Sequence, residues 1–101
     1  MAFTGKEGKM IPLNDASTRT EDHRRKYPTE AMGGFFGKDK IMELLNQTDA
    51  KGIRYYFAQK GDKMSLVMVA ADSSENDITA NVLNDEMKNP PYTGNTNPLN
   101  S

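Results

Sequence analysis

Ile53-Arg-Tyr-Tyr-Phe-Ala-Gln-Lys-Gly-Asp-Lys-Met-Ser-Leu-Val-Met-Val-Ala70 is the stretch that decides the fold. Its two ends, Ile53 to Ala58 and Met64 to Ala70, are rich in the β-branched and aromatic residues that suit a pleated strand. Between them Gln59-Lys-Gly-Asp-Lys63 supplies turn chemistry. A two-residue turn at Gly61-Asp62 places glycine at the first central position, as a type II′ turn requires. That register pairs Phe57 with Leu66, Tyr55 with Met68 and Ile53 with Ala70 on one face. The other face sets Tyr56 against Val67 and Arg54 against Val69. The first face reads as core, while the second is only half polar.

Two helices precede the hairpin. Asn14 or Asp15 is a good N-cap, so the first helix is expected to open there. Ala16, Thr20, His23 and Tyr27 recur at helical spacing on one side of it. His23-Arg-Arg-Lys26 occupies its last turn, and Pro28 ends it by disfavouring helical geometry at Tyr27. A loop containing Gly33-Gly34 leads to Phe35 and Phe36. A second helix is expected over about residues 38–47, with Ile41, Leu44 and Leu45 as the stripe that packs on Ile53, Tyr55, Phe57, Leu66 and Met68. After the polar turn Asp72-Ser-Ser-Glu-Asn-Asp77, residues 78–83 suit a third strand or a short helix, and periodicity does not choose between them. From Asn84 onward apolar residues are scarce, and Pro90, Pro91 and Pro98 interrupt regular structure. The expected fold is α+β: two short helices on a β-hairpin or small antiparallel sheet, with extended polar termini. The expected division is a flexible tail over 1–9, one domain over 10–85 and an extended Pro/Asn-rich tail over 86–101. Residues 1–9 read equally as a native tail or as an extension ahead of Met10.

Composition bounds the function. At 101 residues the chain has the length of one ordinary domain. Its hydrophobic fraction of 36% lies below the roughly 45–50% typical of globular domains on a count that includes glycine, so the core must be small. Thirteen basic against fourteen acidic side chains leave a net charge of −1, without the basic excess that draws proteins to nucleic acid or anionic lipid. The absence of cysteine removes disulfides, thiol nucleophiles and thiolate metal sites together. No apolar run approaches the roughly 18–20 residues needed to span a bilayer, and residues 1–9 lack the apolar stretch of a secretory signal. The expectation is a cytoplasmic protein.

Ile11-Pro-Leu-Asn-Asp-Ala-Ser17, Gly52-Ile-Arg-Tyr-Tyr-Phe57, Leu66-Val-Met-Val69 and the ending Asn97-Pro-Leu-Asn-Ser101 together resemble a loose group of short uncharacterised bacterial proteins. In that group a helix with a Tyr-Arg pair, a hairpin of this type and a Pro-Leu-Asn ending follow in the same order. The resemblance covers residues 10–101 and implies an architecture, with no activity to carry over. The group often has two cysteines flanking the tail's proline pair. Here those positions are Asn89 and Thr93, so a disulfide or metal role for those cysteines has no counterpart.

No signature of catalysis survives a check of spacing. His23 is the one histidine and the obvious general base. Ser17, six residues earlier, lies about 600° around the helix and shares no face with it, and Asp22 points elsewhere. A histidine and three basic residues in the last turn suit the helix macrodipole without a ligand. Lys51-Gly52 with Tyr55 matches part of an RNA-recognition strand, but Ile53 stands where an aromatic belongs and Arg54 where a small residue belongs. Asp72 to Asp77 offers oxygen at alternate positions as a calcium loop does, yet Asp77 stands at its glycine position and Leu83 at its bidentate glutamate. Gly33-Gly34 and Gly37 match no phosphate loop. No catalytic, cofactor-binding or metal-ligating residue is therefore nominated, and no cofactor is expected.

What remains is an expectation of a small non-catalytic interaction module, with a protein partner or a homodimer and no membrane. A two-stranded hairpin is marginal by itself, and Tyr56, Val67 and Val69 leave its second face too apolar for plain solvent. A second copy, a third strand or a partner must cover it. The candidate interaction surface is Arg54, Tyr56, Val67 and Val69, with Tyr92 and Leu99 as anchors in the tail. An alternative is a small-ligand-binding protein or enzyme with a pocket near Arg54, Tyr56 and His23. RNA binding through Arg54, Tyr56 and the basic run ranks lower.

Overall fold

The computed structural model describes residues 2–101. The chain runs through α1 (Leu13–Lys26), β1 (Gly33–Phe35), α2 (Lys38–Leu45), β2 (Gly52–Lys60), β3 (Lys63–Ala71), β4 (Asp77–Leu83) and β5 (Met87–Asn89). It is an α+β fold with two antiparallel sheets, one of order β2-β3-β4 and one pairing β1 with β5. The described residues gather into two compact units, 2–8 with 36–86 and 9–35 with 87–101. None of their helices is long and apolar enough to cross a membrane.

In the second of these units, α1 is capped two to three residues earlier than at Asn14 or Asp15. Pro12 holds the N-cap position with φ −60° and ψ 147°, extended as N-caps are, while its carbonyl accepts the first helical bond from the Ala16 amide at 3.1 Å. Asp15 then sits in the first turn, where negative charge suits the dipole. At the other end Tyr27 has left helical geometry, at φ −127° and ψ 66° ahead of Pro28. Ala16, Thr20 and His23 are half-buried and Tyr27 is exposed; α1 has no fully buried residue. Gly33 and Gly34 are strand rather than loop. They pair with Asn89 and Lys88, and Phe35 pairs with Met87. Arg24 donates to the Leu99 carbonyl at 2.6 Å and to a main-chain oxygen of Ser101 at 2.5 Å. Thus the segment read as an extended tail makes backbone pairs and side-chain bonds of its own.

In the first unit the turn is as expected. Gly61 has φ +65°, Asp62 does not have a positive φ, and Lys60 faces Lys63, the pattern of a type II′ turn. Every rung of the hairpin falls in the register derived above. Residues 77–83 are a strand, not a helix. β4 pairs with β3 only over Met68 to Ala71, with a bulge between Val69 and Ala70. α2 lies against all three strands.

The core departs from the expected one. Leu44 is buried, at 2% exposure, and Ile41 and Leu45 are half-buried. On the sheet, however, the buried positions are Ser65, Val69, Ala70 and Ala71. Three of these four share the face of Arg54 and Tyr56, not that of Tyr55 and Phe57. Tyr55 and Phe57 are 58% and 74% exposed and meet edge to face at 5.8 Å between ring centroids. For Phe57 the reason is the reach of the third strand: β4 extends only to Met68, so the Phe57–Leu66 rung stays two-stranded. Tyr55 lies on a three-stranded rung and is exposed nonetheless.

Residues 2–8 also meet this sheet. The Phe3 amide donates to the Ser73 carbonyl at 3.1 Å. Glu7 closes a small turn by accepting from the Thr4 amide at 2.8 Å and the Gly5 amide at 2.9 Å. These amides, that of Thr4 foremost, hold its carboxyl down to about 2. Gly5 has φ +89°, and a side chain there would come within 3.2 Å of the Lys51 carbonyl, so position 5 takes only glycine without strain.

Two substitutions separate the real core from the expected one. Leu44→Ala should destabilise by about 2–5 kcal/mol, the range for truncating a buried leucine. In the monomer, Phe57→Ala should stay within about 0.5 kcal/mol of wild type, as exposed positions do. Urea unfolding of both variants checks this, and equal losses would mean that Phe57 is packed.

Candidate interaction site on the sheet

The hairpin register places Arg54 and Tyr56 two residues apart on one face of the edge strand β2. The sequence turns back through Asp72 to Asn76, where the Asp72 carboxylate accepts from the Ser74 and Asn76 amides, each at 2.9 Å. β4 then opens with Asp77 directly opposite Ala71, which lies on that same face. The Asp77 carboxylate reaches back across the central strand. One oxygen accepts from the Arg54 guanidinium at 2.6 Å and the other from the Tyr56 hydroxyl at 2.6 Å. Arg54 also donates to the Glu75 carbonyl at 3.1 Å, and its guanidinium carbon lies 5.4 Å from the centre of the Phe3 ring. This cluster spans both outer strands above Val69 and Ala71.

Its electrostatics are mutually reinforcing. The Tyr56 hydroxyl first and the Arg54 guanidinium second hold the Asp77 carboxyl below its ordinary range. The bond to Asp77 in turn raises the Tyr56 hydroxyl and the Arg54 guanidinium above theirs. Both hydrogen-bonding protons therefore stay in place at neutral pH. A carboxylate satisfied in this way is a poor general base, and an arginine with this partner is a poor phosphate ligand. The arrangement ties the sheet together instead of activating a group.

The part of β3 that β4 leaves bare is covered by side chains. Past Leu83, where β4 leaves β3, Asn84 and Glu86 take over the ladder with their side chains. Glu86 accepts from the Leu66 amide at 3.0 Å and the Ser65 hydroxyl at 3.0 Å, and the Asn84 amide group donates to the Leu66 carbonyl at 2.7 Å. This is why Ser65 is buried. Between them Asp85 has φ +65° and forms an ion pair with Lys60. The outer side of β2 has no such cover. The closing pair of a two-residue turn is hydrogen-bonded, so alternation directs the amides and carbonyls of Ile53, Tyr55, Phe57 and Gln59 away from β3. Among the described residues no strand pairs with that outer edge, and no turn or loop donates a backbone bond to it. Tyr55, Tyr56 and Phe57 stand in succession along it, all exposed. A cleft of about 360 Å³ lies at its start, lined in part by Phe3, Lys51, Ile53, Arg54 and Tyr55.

Of the candidate surface residues, Arg54 and Tyr56 are brought together, and the acid they meet is Asp77. Val67 is half-buried. Val69 is buried at 3% exposure and offers no contact surface, because the cluster above it and the third strand beside it already enclose it. Of the covers expected for that face, a second copy, a third strand or a partner, it is the third strand that lies beside Val69. Tyr92 and Leu99 are exposed, and belong to the other unit, as does His23, whose ring meets Tyr27 at 5.0 Å between centroids. Sequence reasoning missed Asp77, Asn84 and Glu86. An arginine and a tyrosine two apart on one strand face, with an acid at the start of a following strand, was the available signal for the first.

Comparison of the chain with protein-family models, with curated proteins and with solved structures returns no match.

Tyr56→Phe removes the largest cause of the Asp77 shift, so the Asp77 carboxyl should titrate at higher pH than in wild type. The sign for stability follows from a folded value below the unfolded one of about 3.9. Stabilisation by Asp77 is present above that unfolded value and is lost as pH falls through the folded value. Tyr56→Phe should therefore lose less further stability on acidification below about pH 4 than wild type does. Carboxyl-detected NMR titration measures the first effect and acid-dependent urea unfolding the second. Identical Asp77 titrations in the two proteins would break the assignment.

Proposed function

We propose that this protein is a small non-catalytic interaction module of the cytoplasm whose contact element is the outer edge of β2. The observation that carries the reading is the row of three exposed aromatics, Tyr55, Tyr56 and Phe57, along the unpaired outer edge of β2. Asn84 and Glu86 cover the stretch of β3 that β4 leaves bare, whereas no described segment pairs with β2 on its outer side. Unpaired edges invite another strand, and natural sheets usually blunt them with charge, proline or a bulge. β2 carries no proline and no bulge against β3, and its two cations are matched within the chain by Asp77 and Asp85. Strand addition supplies main-chain hydrogen bonds for affinity, and alternate side chains supply specificity.

The cleft beside Phe3 and Lys51 supports a small-ligand reading as the second choice. It is weaker because its arginine is already bound to Asp77 and the Glu75 carbonyl, and its lysine lies 3.6 Å from the Asp49 carboxylate. RNA binding ranks below both. The net charge of −1 offers little to a phosphate backbone, and Arg54 is the cation that reading most needs.

A photo-crosslinking amino acid at position 57, compared with one at the also exposed Val82 on the opposite edge, tests the reading in cells. Position 57 should yield discrete protein adducts that position 82 does not. Equal patterns from the two, or none from either, would end the proposal.

A further inference from the structure

Resting on that reading, we infer that the strand added to β2 is β2 of a second copy, paired antiparallel about a twofold axis at Tyr56. The sequence of the edge is self-complementary in this one register. A twofold at Tyr56 joins each residue to the one whose number makes 112 with its own. Ile53 then faces Gln59, Tyr55 faces Phe57, and Arg54 faces Ala58. All the outward-pointing residues meet outward-pointing residues, so their amides and carbonyls bond in pairs, as an antiparallel ladder needs.

Side chains select this register over its neighbours. Tyr55 and Phe57 share the exposed face, and each would lie across from the other's counterpart in the second copy, giving two aromatic cross-strand pairs. Lys60 falls opposite Gly52 and Arg54 opposite Ala58, so no cation meets a cation directly. Both cations also carry their own carboxylates, Asp77 and Asp85, in the same subunit. A twofold at Phe57 would set Arg54 directly against Lys60, a like-charge rung that destabilises a sheet. A twofold at Tyr55 would run the ladder through Lys51, where Gly5 already approaches the carbonyl. Axes between two residues would set outward groups against inward ones. The result is a six-stranded sheet continuous across two copies.

Charge exchange at the two exposed aromatics tests the inference on the full chain. Because Tyr55 and Phe57 are exposed, their replacement leaves the fold intact, which far-UV circular dichroism and a thermal melt verify. Sedimentation velocity should find wild type dimeric at micromolar concentration. Tyr55→Lys with Phe57→Lys puts two like-charged rungs at the axis and should weaken the dimer by more than about tenfold. Tyr55→Lys with Phe57→Glu puts opposite charges across from each other and should recover most of that loss. Recovery requires residue 55 to face residue 57 of the other copy, so it reports the register as well as the contact. A monomeric wild type, a dimer indifferent to the double lysine, or failure of the Lys/Glu variant to recover would each overturn the inference. Adducts from position 57 to a different protein, with a monomeric wild type, would sink the second copy while leaving β2 as the contact element.

Discussion

The two-residue turn at Gly61-Asp62 sets the face occupied by every side chain from Gly52 to Ala71. Side chains alternate along a strand, so a slip of one residue would send Arg54 and Tyr56 to the side of Leu66 and Met68. Asp77 would then have neither partner, and Val69 would lose its cover. Glycine at position 61 is what holds the register, since its φ of +65° is open to few other residues. The cross-sheet cluster, the small core on β3 and the row of aromatics along β2 all inherit their placement from that one backbone angle.

Asp77 and the Asn84/Glu86 pair solve related problems at opposite ends of β3. At the open end a carboxylate crosses over the strand and draws both neighbours together. Near the turn, where the third strand has departed, an amide and a carboxylate stand in for the missing backbone and satisfy Leu66. Polar side chains therefore do much of the enclosing that large apolar ones do elsewhere. That suits a chain only 36% hydrophobic, and it explains why a serine is among its most buried residues.

The hairpin was legible because its information is local: β-formers on both sides of a turn with glycine in the demanding position. The stripe of Ile41, Leu44 and Leu45 was legible for the same reason. The core face was misjudged because size was taken as the guide. Phe57 looks like core, yet its rung lies beyond the reach of β4 along β3, and nothing between residues 78 and 83 announces that limit. The pairing of Gly33-Gly34 with Lys88 and Asn89 was illegible for a different reason. Three-residue strands have no measurable period, and paired glycines look the same in a turn and in a ladder. Asp77 lay within a stretch readable as an acidic turn, and its role came from a partner more than twenty residues away.

The bond between the Phe3 amide and the Ser73 carbonyl bears on how the chain is made. During synthesis the N-terminal segment emerges first, but its acceptor lies seventy residues downstream, beyond the whole hairpin. Loops of that length close late, because their entropy must be met before the contact forms. The pairing of Phe35 with Met87 has the same character. On a translating ribosome the hairpin can assemble as soon as residue 71 is free, whereas both of these closures wait for later residues. Phe3 therefore leaves the ribosome well before the carbonyl that its amide will bond.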